Sequence, residues 1–187
     1  MCGRYTLFTD EEYQDIRKII RAVQEKGHEV KTGEIYPTNP APILVWEGKE
    51  TVPQAVKWGW PKFQGSGVLI NARAETAKEK NLFRKSVYTR RCVVPTTGFY
   101  EWDQEKAKYR FILPHASTLY LAGLYNEFQG ERRFLILTTE ANASVSFIHS
   151  RMPVIVFREM IDTWLEDTEK AVHMLHWQQP ELHIATQ

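Results

Sequence analysis

The chain has 187 residues, 43% hydrophobic and 12% aromatic, enough for one domain with a sizeable core and too apolar for a disordered chain. No apolar run approaches the roughly 20 residues of a membrane span, and residues 9–26 are too charged for a signal sequence, so a cytoplasmic protein is expected. A formal net charge of +1 excludes nucleic-acid binding through bulk charge and leaves only a local basic stripe for that role.

In chain order, residues 9–27 carry the clearest helical pattern. Thr9 and Glu12 have capping-box spacing, Ile16, Ile19, Ile20 and Val23 form an apolar stripe, and Gly27 suits a left-handed end. Residues 31–42 read as a Pro-rich loop, 43–58 as a hairpin turning at 47–49, and 59–67 as an irregular aromatic loop. Two short helices are expected within 72–91. Strands are expected at 92–95, 98–102, 108–113, 118–125 and 132–138, a short helix and loop at 140–152, a strand at 154–157, and helices across 159–177. The expected fold is α+β, a β-rich, mixed or barrel-like sheet with peripheral helices, in a single domain 1–187 ending in a helix and tail from about 159.

Two cysteines 90 residues apart do not make a disulfide framework. Cys92 sits in an apolar run and reads as a small core residue. His173 and His176 lack neighbouring ligand types, so no metal and no cofactor is expected, and with Trp177 they read as packing residues. Several stretches can carry chemistry. In "MCGRYT", loss of Met1 turns Cys2 into a terminus bearing both a thiol and an α-amine, the latter with an ordinary pKa of about 7.7–8.0; otherwise Cys2 is an inert chain end. In "INARAET", Asn71 either holds a terminal amine or carbonyl or caps a helix; Arg73 either holds a phosphate or is solvated with Glu75. In "GFYEW", strand alternation sets Glu101 opposite Tyr100 and Trp102, on a solvated face or in a pocket where burial raises its pKa toward acid–base work. In "SFIHSRMPV", His149 is a structural histidine or a proton carrier, beside Arg151. In "KWGWPKF", Trp58, Trp60 and Phe63 either stack on unpaired bases or pack in a turn.

Taken in order, "MCGRY", "WGW" with "INARAET", "RRCVVPTTGFYEW", "AGLY", "LTTEAN" and "IHSRMPVI" resemble the SOS-response-associated peptidase (SRAP) family of abasic-site processing proteins, over residues 2 to about 165. The resemblance implies a monomer acting on single-stranded DNA and single-/double-strand junctions at abasic sites. It implies covalent capture of the ring-opened deoxyribose aldehyde by Cys2 as a thiazolidine, shielding the lesion in the DNA damage response, with nucleoid association when DNA is bound. Self-removal of Met1 and a weak lyase side path belong to the same picture. It implies catalytic roles for Cys2, Asn71, Glu101 and His149. DNA contacts are implied at Arg4, Asn39, Pro40, Trp58, Trp60, Arg73, Thr138 and Arg151. The loop "WGWPKFQGSG" departs from the family form "WGLIPSW", which leaves the stacking ring unassigned between Trp60 and Phe63. Two other functions stay open: an N-terminal-nucleophile cysteine peptidase or amidase on the same Cys2, Asn71, Glu101 and His149, separable by turnover of amides without DNA, and a non-covalent single-strand binder using Trp58, Trp60 and the arginines, indifferent to Cys2 and to the lesion.

Overall fold

The computed structural model describes residues 2–185. In chain order the elements are β1 (Tyr5–Leu7), α1 (Gln14–Gln24), β2 (Gly33–Ile35), β3 (Pro40–Glu47), β4 (Glu50–Trp58), β5 (Trp60–Pro61), β6 (Val68–Leu69), β7 (Asn71–Arg73), α2 (Ala74–Ala77) and α3 (Asn81–Thr89). They continue with β8 (Arg91–Thr96), β9 (Gly98–Trp102), β10 (Lys108–Ile112), β11 (Leu119–Phe128), β12 (Glu131–Glu140), α4 (Ala143–Ser146), β13 (Arg151–Pro153), a 3₁₀ turn (Arg158–Met160), α5 (Ile161–Glu166), α6 (Thr168–Met174) and β14 (His183–Ile184).

Five long strands close a ring. The order β11-β8-β3-β4-β12 returns to β11 through pairs running from Gly123↔Ile136 to Phe128↔Glu131. β7 and β13 also pair with β12. A second sheet, ordered β14-β10-β9-β1-β2, carries the amino-terminal segment. The expected barrel-like α+β fold is thus present, closed by the hairpin between β11 and β12.

Strand alternation explains why the ring strands read as continuous apolar runs. Cys92 and Val94 of β8, Leu121 of β11, and Phe134 and Ile136 of β12 belong to one buried cluster. Val93, Ala122, Leu135 and Leu137, one residue away in each case, belong to another, which also holds Phe83 of α3 and Trp164 of α5. Both faces of these strands are covered, so both carry mainly apolar residues. Arg91 fastens the helices to the ring. Its guanidinium donates to the carbonyls of Val87 and Tyr88 at the end of α3 (both 2.9 Å) and of Trp164 and Leu165 in α5 (2.6 and 3.0 Å). It satisfies helix-end acceptors and offers no basic surface.

The corner between the two sheets positions the site. β8 ends at Thr96 and β9 begins at Gly98, whose φ of +147° and whose approach to the Phe111 carbonyl (an added Cβ would lie 2.8 Å from it) require glycine. Thr96 Oγ1 donates to the Thr6 carbonyl (2.7 Å) and Thr6 Oγ1 to the Gly98 carbonyl (3.1 Å), locking β1 to this corner.

Four expectations need correction. The first helix starts at Gln14, not after Thr9; Tyr13 N–H donates to the Asp10 carbonyl, Phe8 and Tyr13 rings meet at 6.4 Å, and this turn replaces the capping box. Residues 154–157 form a single bridge, Leu121↔Ile155, because they lie between splayed parts of β11 and β12 and bond to both; the strand is β13, just before. The segment 31–42 contributes β2 and the start of β3. His173, His176 and Trp177 are exposed, so they are not packing residues.

Candidate functional site

β1 brings Cys2 against β9 and β7. Cys2 is buried, 1% exposed. Asn71, the first residue of β7, donates from Nδ2 to the Cys2 carbonyl at 3.1 Å. Its carboxamide oxygen is a buried acceptor with no hydrogen-bond donor among the described residues. Asn71 is paired with Ile136 of β12, and the α2 cap position falls to Arg73, which rules out the helix-cap alternative. Tyr100 N–H donates to the Arg4 carbonyl (2.9 Å), tying the same segment to β9.

Alternation along β9 places Tyr100 and Trp102 together on one face, ring centroids 6.2 Å apart, and Glu101 on the other, buried to 2% exposure. Of the two orientations open in the sequence, the inward one is found. Burial pushes the Glu101 carboxyl above its ordinary range, and the His149 charge pulls it back in part. Burial, reinforced by Glu101, pushes the Cys2 thiol far up, so at neutral pH the sulfur is a thiol. Cys2, Glu101 and His149 therefore share one electrostatic environment. His149 Nδ1 lies against the Arg151 backbone, 3.0 Å from its N–H and 3.2 Å from its carbonyl oxygen.

The arginines divide into held and exposed. Arg151 forks onto Glu75 (Nη1–Oε1 2.7 Å, Nη2–Oε2 2.8 Å) and also donates to the Thr138 carbonyl at 2.7 Å. Burial works against the Glu75 charge, but this grip holds its carboxyl down at about 2. Arg4 lies between the rings of Tyr36 and Trp102 (4.4 and 5.0 Å to the centroids) and donates to Glu34 at 3.2 Å. Glu34 also takes Lys108 at 2.9 Å. Arg73 is exposed at the end of β7, directly across from Thr138.

Several expected DNA contacts are not available as surface groups. Trp58 and Trp60 are buried at 0% and 1% exposure, with indole N–H groups on the carbonyls of Ile70 and Arg133. Neither presents a ring to a base, whereas Phe63, in the turn between β5 and β6, is 83% exposed. Thr138 is fully buried and meets Arg151 from inside. Arg151 is committed to Glu75. Asn39, half-buried, uses Oδ1 to accept the Tyr36 N–H and so closes the turn before Pro40 and β3. Sequence reasoning missed Glu75 and Glu34, whose partners lie 76 and 30 residues away. Removal of Met1 concerns a residue outside those described. Among the described residues no cluster of three metal-ligating side chains occurs, and no helix is long and apolar enough to cross a membrane.

A closed ring of strands buries Cys2 against the Asn71 carboxamide and within the electrostatic reach of Glu101, on which His149 acts in turn. The model of the family described as SOS response associated peptidase (SRAP) matches residues 1–185, and the chain belongs to that family. It is 35% identical over 185 residues to the "Abasic site processing protein YoqW" of Bacillus subtilis (88% of this chain, 80% of that one) and 32% identical over 181 residues to YoaM, an abasic site processing protein of the same organism (88% and 79%). A crystal structure of a Bordetella bronchiseptica protein shares the fold with a TM-score of 0.78 at 22% identity, covering 98% of each chain.

Proposed function

We propose that this chain processes abasic sites in DNA by capturing the lesion covalently through Cys2 once Met1 has been removed. The observation that carries the proposal is the Asn71 hydrogen bond to the Cys2 carbonyl at 3.1 Å, from a carboxamide whose oxygen is a buried acceptor. A carboxamide so placed holds a residue by its carbonyl and keeps an acceptor for its amine.

The chemistry proceeds amine first. The Cys2 amine adds to the aldehyde of the ring-opened sugar, and loss of water gives an imine. The sulfur then bonds to the imine carbon while the S–H proton passes to the nitrogen, closing a thiazolidine. One water leaves in all and nothing is oxidised or reduced. Glu101, its pKa raised by burial, carries protons during ring opening and dehydration, with the His149 imidazole as its partner. Arg73 meets the phosphate beside the lesion. Arg4 serves the same end where Glu34 yields it. Closure of the ring shields the strand, since an open imine can proceed to β-elimination; weak lyase activity belongs to variants lacking the thiol.

A peptidase of the N-terminal-nucleophile kind uses the same residues but needs a reactive thiolate. Substrate separates the two: turnover of an amide without DNA favours the peptidase, with the α-amine as base to its own thiol. The test is incubation with a single-stranded oligonucleotide bearing an abasic site, followed by heat and denaturing electrophoresis. A heat-stable adduct that Cys2→Ala abolishes supports the proposal; no adduct from protein with a free Cys2 terminus refutes it.

A further inference from the structure

A groove of about 560 Å³ shares His149 with the Cys2 site, and its remaining residues take no part in the proposed capture chemistry. It runs between the end of β9 with the following turn (Trp102–Glu105) and the segment leaving α4 (Ser146–Ser150). His149 lines it and also acts on the Glu101 carboxyl, so the groove is continuous with the site. Phe147 stands in its wall with 65% of its surface exposed and belongs to neither buried cluster. Trp102, half-buried, also contributes to the lining.

The charge of the lining selects the ligand. It holds the carboxylates of Asp103 and Glu105 and no lysine or arginine. Asp103 is fixed by the turn, accepting the N–H groups of Glu105 and Ala107 (2.9 Å each) and the Tyr109 hydroxyl (3.0 Å), so its carboxylate is held in place on the rim. A phosphate is repelled from such a groove, while a flat, uncharged π-system is accepted on an exposed ring. The tryptophans of the 58–60 stretch are in the core and cannot supply this stacking.

We infer that this groove is a nucleobase subsite: it takes one unpaired base next to the lesion, stacked on Phe147, with the sugar–phosphate chain left outside. The inference rests on the proposal that the chain binds abasic DNA. It favours a single-stranded nucleotide, because extruding a paired base costs a few kcal/mol of pairing and stacking.

The test is equilibrium binding, by fluorescence anisotropy, of the full chain to single-stranded oligonucleotides carrying an unreactive tetrahydrofuran lesion. In a parallel set, a second tetrahydrofuran replaces the base at each flanking position in turn. Phe147→Ala is expected to weaken binding about tenfold and to leave the salt dependence unchanged. Removing the base at one flanking position is expected to weaken wild type equally and to leave Phe147→Ala unaffected, while Phe147→Trp retains wild-type affinity. The assignment is overturned if Phe147→Ala binds within twofold of wild type. It is also overturned if the two losses multiply at every position, or if the salt slope falls by about one, as for a lost phosphate contact. Wild type that binds none of these strands removes the DNA proposal and the subsite together. Wild type that binds them yet gives no adduct with a reactive lesion removes the capture step alone.

Discussion

Asn71→Ala isolates the contact on which the proposed chemistry depends. The substitution removes the donor at 3.1 Å from the Cys2 carbonyl and leaves that carbonyl in a site where Asn71 itself is only 7% exposed. Stranding a buried backbone acceptor costs about 1–3 kcal/mol. If that energy is needed to hold the amine in reacting geometry, crosslinking at saturating DNA slows by roughly 5- to 150-fold, at about 1.4 kcal/mol per factor of ten. Affinity for DNA with an unreactive lesion stays near wild type, because the carboxamide is buried and bonded to the Cys2 carbonyl, whereas the phosphate contact is assigned to the exposed Arg73. The assay is single-turnover adduct formation at several DNA concentrations, with the two quantities fitted separately. A maximal rate within twofold of wild type refutes the reasoning, and so does a loss confined to affinity.

Three further outcomes follow from the same geometry. Glu101 has its folded pKa raised, so the stability it contributes is present in acid and is lost as pH rises through the folded pKa; Glu101→Gln is expected to melt above wild type at neutral pH, with the gap closing toward pH ~4, while adduct formation falls. Thermal melts across that range check the sign. Glu75 has its pKa depressed, so its contribution is complete above the ordinary value of 4.5 and disappears as pH falls through about 2; the Tm advantage of wild type over Glu75→Gln should shrink across that window. Trp60→Ala empties a core position between Phe83 and Phe128 (ring centroids 5.7 and 5.5 Å away) and should cost about 3–5 kcal/mol in a denaturant titration, with the folded fraction binding DNA as wild type does.

The parts of the fold legible in the sequence are those fixed by local pattern. The β3–β4 hairpin turns at Gly48 and Lys49 as its composition demands, and the two short helices α2 and α3 follow their periodicity. The run from β8 to β12 shows as apolar stretches punctuated by turn residues. What local pattern could not give is which side chains meet across the chain. The Phe8–Tyr13 contact that delays α1 needs the β1–β8 corner, and the Glu75–Arg151 fork spans 76 residues. The tryptophans at 58 and 60 look the same in sequence whether stacked on a base or buried. Ring closure buries them, Trp58 against Tyr5 and Phe134 and Trp60 against α3. Within the site, alternation alone separated Glu101 from Tyr100 and Trp102. Only the second sheet decided which side faced inward.

Intact mass of the purified chain, before and after incubation with a single-stranded abasic oligonucleotide, tests the central claim most directly. The account predicts a protein lacking Met1 and then one species at the sum of the two masses less one water. Its imine and thiazolidine forms have equal mass, so it should also survive heat and resist borohydride, whereas the Cys2→Ser adduct should be trapped by borohydride. A chain that begins at Cys2 and yields no species of that mass contradicts the account.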